Sequence, residues 1–173
     1  MANRAVLPMA ISILQCLFVA AKIGGMTTVK VPRVFGTTVH GANYVLRPGG
    51  YCVIRSSTGK IAVVKTPAGC FLPGGGQEKG ETLEDAATRE AAEECGLAIQ
   101  IRSRIGVADE LVYSADERTY FRKRCAFFRA EAIGPDGGRG ELDHVLLWLT
   151  PDEAVRQLSH ESQRWAVRSV GSA

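Results

Sequence analysis

The chain has 173 residues, of which 46% are hydrophobic and 23% are charged. This length suits one domain, and this composition is ordinary for a soluble globular protein and excludes a low-complexity or repeat protein. The net charge is +3, but residues 78–94 carry −5 and the remainder carries +8. An acidic segment in a basic body suits a phosphate-rich substrate, whereas the dispersed basic residues do not indicate nucleic-acid binding.

The first 25 residues allow three interpretations. Residues 5–21 are uncharged and mostly apolar, which is typical of a signal peptide but short for a spanning helix. Alternatively, Met26 is the true start of the protein, or the segment is an ordinary N-terminal element. We therefore place the folded domain at residues 26–173 and expect no stable membrane association.

Residues 33–72 are rich in strand-forming side chains. Residues 33–47 predict one or two strands broken near Gly41. Residues 51–55 and 61–65 predict a β-hairpin around the turn at residues 57–60, and residues 70–72 predict a short strand.

The segment that follows divides into a glycine loop and a helix. Pro73 and the three glycines at 74–76 predict a loop. Thr82 is a good helix N-cap and Asp85 completes a capping box, while Gly96 stands where a left-handed C-cap belongs.

The end of this helix is strongly acidic. Glu93 and Glu94 follow Glu90 by three and four residues, spacings at which like charges destabilise a helix by about 0.2–0.5 kcal/mol per pair. Acids also oppose the macrodipole at a helix C-terminus. A bound divalent cation would reverse this cost, and Mg²⁺ takes carboxylate oxygens together with substrate phosphates.

The remaining elements are strands followed by helices. Residues 98–107 and 119–130 predict strands separated by a polar loop at 108–118, and residues 133–140 predict a flexible loop. Residues 145–149 predict a strand. Thr150, Pro151 and Glu153 predict a capped helix start, and a last helix holds Trp165.

Residues 75–97 resemble the Nudix box of the Nudix hydrolases. The matching positions are Gly75, Glu81, Arg89, Glu90, Ala91, Glu93, Glu94, Gly96 and Leu97. Ala91 is small where the family usually has a larger aliphatic residue. The resemblance implies an α/β fold, a Nudix-type α/β/α sandwich with a mixed β-sheet, and hydrolysis of a diphosphate bond in a nucleoside diphosphate linked to another group.

The resemblance also implies roles for individual residues. Glu90, Glu93, Glu94 and the Gly74 carbonyl match the family's metal ligands, for Mg²⁺ or alternatively Mn²⁺. Arg89 matches the residue that orients a helix glutamate, and Glu81 the one that supports the loop. The box does not fix the general base, so box glutamates compete with Glu141 and Asp143.

The substrate stays open at this point. Tyr113 stands at an offset that resembles a marker of the diadenosine polyphosphate branch, and nucleoside triphosphates are an alternative. Arg55 is a candidate phosphate ligand, and the other candidates are Arg47, Arg122, Lys123 and Arg124. A catalytically inactive nucleotide-binding module with the same fold is the second functional hypothesis.

The five cysteines include no CxxC pair and are odd in number. This pattern favours reduced thiols in the cytoplasm over a disulfide framework or a zinc site. The three histidines are far apart in sequence and show no metal-ligand spacing. A homodimer is compatible with the sequence.

Overall fold

A computed structural model of the chain describes residues 31–135, 140 and 143–171. Within these residues the chain forms eight strands and three helices. The strands are β1 (Arg33–Phe35), β2 (Tyr44–Arg55), β3 (Ile61–Thr66), β4 (Gly69–Phe71), β5 (Gly74–Gly76), β6 (Leu97–Ser114), β7 (Thr119–Pro135) and β8 (Val145–Leu149). The helices are α1 (Leu83–Cys95), α2 (Pro151–Gln157) and α3 (Glu161–Val170). The interpretations of residues 1–25, and the domain boundary at residue 26, fall outside the described residues.

The strands form one mixed sheet in the order β1-β6-β7-β2-β3-β4, with β5 added to β2 and β8 added to β3. β1 pairs with β6 and β2 with β7 in parallel, while the other pairs are antiparallel. One hydrophobic cluster joins the sheet to α2 and α3, and a second joins it to α1. The α/β sandwich with a mixed sheet is therefore confirmed.

The predicted hairpin forms from β2 and β3, which pair antiparallel beginning at Arg55 and Ile61. Val53 belongs to one hydrophobic cluster, whereas Cys52 and Ile54 belong to the other, and all three are fully buried. Because helices cover both faces of β2, this part of the strand is continuously apolar instead of alternating between apolar and polar residues.

Helix α1 has the predicted ends. The Thr82 side chain accepts the Asp85 N–H at 3.1 Å and the Asp85 carboxylate accepts the Thr82 N–H at 3.1 Å, which completes the capping box. Gly96 ends the helix in the left-handed conformation at φ 62°. The helix lies directly on β2, since a Cβ on Gly50 would overlap the carbonyl oxygen of Leu83.

Three loop predictions were wrong, in whole or in part. β6 is continuous over Leu97–Ser114, so residues 108–114 are strand, and β7 extends to Pro135. Gly74–Gly76 form the short strand β5 beside β2, because glycines allow the two backbones to approach closely. The strand β6 continues through two acidic residues, Asp109 and Glu110. Both are buried, and this is possible because each accepts hydrogen bonds from groups that the fold brings to it.

Asp109 is fully buried and binds two arginines of the neighbouring strand. Its oxygens accept Nε–H groups from Arg122 at 2.6 Å and from Arg124 at 2.9 Å. Burial raises the pKa of the Asp109 carboxyl, but the hydrogen bonds from the two arginines outweigh burial and leave the pKa below its usual value. The acid therefore stays ionised and ties β6 to β7.

Asp109→Asn is expected to lower the free energy of unfolding by about 1–3 kcal/mol, because two charge-assisted hydrogen bonds lose their anion. Glu131→Gln is the matched control. Glu131 pairs with Arg102 at 2.7 Å, but its side chain is 45% exposed, so its loss should cost only about 0–1 kcal/mol. Urea denaturation at neutral pH measures the free energy of unfolding of both variants. Equal, small losses of stability in the two variants would refute a stabilising role for the buried acid.

The four cysteines among the described residues, Cys52, Cys70, Cys95 and Cys125, are free thiols. This agrees with the prediction against a disulfide framework. The described helices are all too short or too polar to cross a lipid bilayer.

Candidate active site

The strand β5 brings backbone amides to the acidic end of α1. Gly74 donates its N–H to Oε2 of Glu94 at 3.0 Å. Gly74 has φ 145°, and a Cβ there would lie 2.6 Å from the Cα of Tyr51. Glycine at this position therefore lets the chain pass against β2 while its amide faces the helix carboxylate.

Arg89 lies at the centre of the carboxylates. Its guanidinium binds Glu81 at 2.7 Å, Glu90 at 3.0 Å and Glu93 at 2.8 Å. It also donates to the Gly76 carbonyl oxygen at 3.1 Å. The charge repulsion expected at the end of α1 is thus partly offset by one arginine, which also fixes the glycine strand to the helix.

Glu81 holds the loop between β5 and α1. Its carboxylate accepts the Glu78 N–H at 2.9 Å as well as the Arg89 contacts. The hydrogen bond from Arg89, aided by the Glu78 amide, lowers the pKa of Glu81 below its usual value. Glu81 is therefore an anion that supports the loop, as the family resemblance implied.

Glu90 and Glu94 are largely shielded from solvent, with side-chain exposures of 18% and 15%. His144 lies beside Glu94, with its Nδ1 3.8 Å from Oε1. Glu93 is more open at 51% exposure. Within the described residues no three His, Cys, Asp or Glu side chains converge as a ready metal site. Three of the acids, Glu81, Glu90 and Glu93, are instead grouped around Arg89.

The donor chemistry nevertheless fits a hard divalent cation. Carboxylate oxygens are the ligands that Mg²⁺ prefers, and the backbone of the glycine strand supplies carbonyls nearby. A Cβ on Gly75 would overlap the Glu90 carboxylate, so the absence of a side chain makes room for that group. Glu90, Glu93 and Glu94 with the Gly74 carbonyl are the groups that could hold such a cation.

A cavity of about 360 Å³ opens beside these groups. That volume is within the range of small-molecule sites. Its wall includes Glu94 and the glycine strand, together with cations and aromatic residues. The other lining residues are Arg47, Pro48, Tyr51, Ala68, Phe71, Lys123, His160 and Gln163.

Two basic residues of the cavity lie on neighbouring strands. Arg47 of β2 and Lys123 of β7 are partners in the parallel register. The Arg47 guanidinium lies 5.1 Å from the centre of the Phe121 ring and binds Glu117 at 2.9 Å. Both members of that ion pair are about half exposed, so the pair is weak and the guanidinium can turn to an anion in the cavity.

Tyr51 lies in the same cavity, with its ring 5.8 Å from that of Phe127. Burial raises the pKa of its hydroxyl, and the negative charges of Glu94 and Glu90 raise it further. The hydroxyl therefore remains a neutral proton donor beside the acidic cluster.

The helix α3 supplies the wall formed by His160 and Gln163. Its first amides are capped by Glu110 of β6, which accepts the Ser162 N–H at 2.7 Å. His160 packs on Phe71 with ring centres 5.1 Å apart. Burial and the nearby Lys123 lower the pKa of His160 despite the opposing effect of Glu110, which favours the neutral ring.

No local pattern in the sequence marks this wall of the cavity. Phe71 is far from His160 and Gln163 in the sequence, and they meet only because the fold brings the start of α3 to β4. The strand pattern of residues 51–55 likewise does not distinguish Tyr51 from its neighbours.

Two predicted substrate ligands lie away from this cavity. Arg55 lines a separate cavity with Ser56 and Arg129. Tyr113 is 55% exposed near the end of β6 and packs on Tyr120 with ring centres 4.8 Å apart. Of the two loop candidates for the general base, Glu141 lies outside the described residues and Asp143 is exposed.

Comparison with known proteins identifies the family to which this chain belongs. The family model described as NUDIX domain matches residues 45–169, which is most of the chain. The chain belongs to the Nudix family. The match includes the box, the strands from β2 to β8 and most of α3.

Two curated proteins are similar to parts of this Nudix chain. The 8-oxo-(d)GTP phosphatase of Mycolicibacterium smegmatis is 31% identical over 114 residues, which cover 65% of this chain and 34% of that protein. The ADP-ribose pyrophosphatase of Methanocaldococcus jannaschii is 49% identical over 51 residues, which cover 29% of this chain and 27% of that protein. The match thus spans about a third or less of the length of these relatives.

The solved structures agree on the fold. A Nudix hydrolase from Nitrosomonas europaea superposes with a TM-score of 0.60 at 20% identity, covering 74% of this chain and 90% of that one. At this identity the likeness shows the fold alone.

Proposed function

We propose that this Nudix domain is a cytoplasmic, metal-dependent hydrolase that cleaves the diphosphate bond of a nucleoside diphosphate linked to another group. The observation that carries the proposal is the approach of Glu90 and Glu94 to the glycine strand at the rim of a cavity with basic residues. The carboxylates at this cavity can bind a metal ion, and its basic side chains can bind phosphate oxygens directly. A substrate with a diphosphate group requires both.

The residues of the site have different roles in the proposed reaction. Glu90, Glu93 and Glu94 would hold Mg²⁺, which neutralises phosphate charge and lowers the pKa of bound water. Arg89 holds Glu90 and Glu93 in place through its hydrogen bonds. Arg47 and Lys123 line the same cavity and would bind phosphate oxygens. Water adds to phosphorus, the anhydride P–O bond breaks, and a carboxylate takes the proton of the water.

The names of the two relatives support a nucleotide substrate, but they do not agree on the nucleobase. One is named for an oxidised guanine nucleotide and the other for an adenine nucleotide. Both names describe molecules with a diphosphate linkage, and this shared linkage is the part that we carry to this chain.

Phosphate release from a nucleotide panel, with Mg²⁺ and with a chelator, tests the proposal. The panel contains nucleoside triphosphates, dinucleoside polyphosphates, ADP-ribose, NADH and nucleotide sugars, with coupling enzymes to convert the products. Metal-dependent turnover of one class supports the hydrolase. Saturable binding of nucleotides without turnover of any class would instead favour a binding module.

A further inference from the structure

Arg55 and Arg129 are half-buried side chains that no acidic group neutralises. Arg55 ends β2, Arg129 lies on β7, and both line a cavity of about 420 Å³. Neither guanidinium makes a hydrogen bond or an ion pair with any other part of the chain that the structure describes. By contrast, the other arginines of β2 and β7 each bind an acid. Two neighbouring cations without a partner are therefore a specific feature of this cavity.

The two side chains leave the same face of the sheet. In the parallel register of β2 and β7, Arg55 lies opposite Glu131 and Arg129 lies opposite Val53. Residues that are two apart along a strand share a face, so these four positions lie on one side of the sheet. The two arginines are diagonal neighbours on adjoining strands, a separation that long side chains can bridge. Both guanidinium groups can therefore contact one ligand.

Glu131 lines the same cavity but is already engaged by another residue. Its Oε2 accepts hydrogen bonds from Arg102, from Nε at 3.0 Å and from Nη2 at 2.7 Å. This pair neutralises Glu131, so the cavity keeps the positive charges of Arg55 and Arg129. Like charges on neighbouring strands destabilise a sheet, and a bound anion would remove that cost.

The turn between β2 and β3 forms the other wall of the cavity. Gly59 of this turn has φ 79°, and a Cβ there would lie 3.8 Å from Nη2 of Arg55. The guanidinium of Arg55 therefore lies against the turn. Ser57 also lines the cavity, and its hydroxyl makes no hydrogen bond to another described residue. The turn thus adds a hydroxyl donor to the two guanidinium groups.

This cavity is separate from the candidate active site. On β7, Arg129 follows Lys123 of the active site by six residues, which is about 20 Å of strand. Cys125 and Phe127, which are buried, lie between them on the same face. On β2, the fully buried Val53 separates Arg55 from the active-site end of the strand. The hydrophobic core therefore lies between the two cavities.

The donors of this cavity suit a phosphate group better than a carboxylate. A guanidinium presents paired N–H groups that match phosphate oxygens in a bidentate manner. Phosphate oxygens point to several sides, so one group can accept from two guanidinium groups and a hydroxyl together. A phosphomonoester carries a charge of about −1.5 to −2 at neutral pH, which balances the two arginines.

We infer that Arg55 and Arg129, with the hydroxyl of Ser57, form a second anion site that binds a phosphate group. Inorganic phosphate and a phosphomonoester such as a nucleoside monophosphate both carry this group. The site is independent of the proposed hydrolase reaction, because none of the residues assigned to that reaction lines it.

The test is a titration of the full chain, labelled with ¹⁵N, with inorganic phosphate at constant ionic strength and without divalent metal. We expect the amide resonances of Ser57 and Gly59 to shift and to saturate, since both residues line the cavity. Acetate, a planar carboxylate, should shift them far less. In Arg129→Gln we expect the phosphate affinity at these resonances to be about 10- to 100-fold lower, because charge-assisted hydrogen bonds are lost.

Lys60→Gln is the matched control. Lys60 is exposed in the same turn but does not line the cavity, so the variant loses the same charge without losing a ligand contact. Its phosphate affinity should equal that of the unmodified protein, since salt screens an exposed charge. Thermal melting verifies that each variant is folded, and Arg55→Gln provides the same test on the neighbouring strand.

AMP in place of inorganic phosphate distinguishes the two sources of the group. Saturable shifts of Ser57 and Gly59 with AMP would show that the site takes a phosphate carried by a nucleotide. A saturable response to inorganic phosphate alone would show that it takes the free anion. Shifts that do not saturate with either compound, equal responses to phosphate and acetate, or unchanged phosphate affinity in both Arg129→Gln and Arg55→Gln would overturn the assignment of this site.

Discussion

Gly75→Ala is expected to reduce metal-dependent turnover by about 100-fold while the protein remains folded, the loss that a 1 Å misplacement in an active site can cause. The added Cβ would overlap both oxygens of the Glu90 carboxylate. The backbone of Gly75 has no positive φ, so alanine itself is tolerated there. The side chain of Glu90 must therefore move away from the position that Arg89 gives it.

Gly76→Ala is the matched control, because a Cβ on Gly76 would have no heavy atom within 4 Å among the described residues. It lies next in the same strand and likewise has no positive φ. Steady-state turnover of the best substrate should be close to that of the unmodified protein in Gly76→Ala. Equal activity in the two variants would show that the position of Glu90 does not matter for the reaction.

Glu94→Gln is expected to lower kcat/KM by about 10²- to 10³-fold, the usual effect of removing one preorganised electrostatic group from an active site. The change removes a negative charge from the group that would bind the metal and leaves its shape. The glutamine oxygen can still accept the Gly74 N–H that Glu94 accepts at 3.0 Å, so the local fold is retained. Initial rates with saturating Mg²⁺ measure the loss of activity, and a thermal melt measures whether the fold is retained.

Glu84→Gln supplies the comparison on the same helix. Glu84 is exposed in the first turn of α1, away from the glycine strand. Its loss should leave kcat/KM unchanged and cost at most about 0.3–1 kcal/mol through the helix dipole. Near-normal activity of Glu94→Gln would mean that the metal ligands have been assigned to the wrong residues.

The local features of the fold could be predicted from the sequence. Both capping boxes, Thr82 with Asp85 and Thr150 with Glu153, form as expected, because each depends on residues three positions apart. The hairpin of β2 and β3 also follows from a local turn. The Nudix box places Arg89 and its carboxylate partners on one helix and the loop before it, so its pattern already contains their geometry.

Features that depend on distant partners could not be predicted. Asp109 and Glu110 suggested a loop, because their neutralising groups are far along the chain. Arg122 and Arg124 follow Asp109 by 13 and 15 residues, and the amide of Ser162 follows Glu110 by 52 residues. Gln163 meets Leu72 across 91 residues. For the same reason no local pattern distinguishes Arg47, which lines the cavity at the acidic cluster, from Arg55, which lines a separate one.

The binding of Mn²⁺, followed by electron paramagnetic resonance as a stand-in for Mg²⁺, measures whether the acids at the end of α1 form the metal site. We expect the unmodified protein to bind Mn²⁺ and Glu94→Gln to bind it about 10- to 100-fold more weakly, or not at all. Glu84→Gln should bind it normally. Equal Mn²⁺ affinity in the unmodified protein and Glu94→Gln would contradict a metal centre built on Glu90, Glu93 and Glu94.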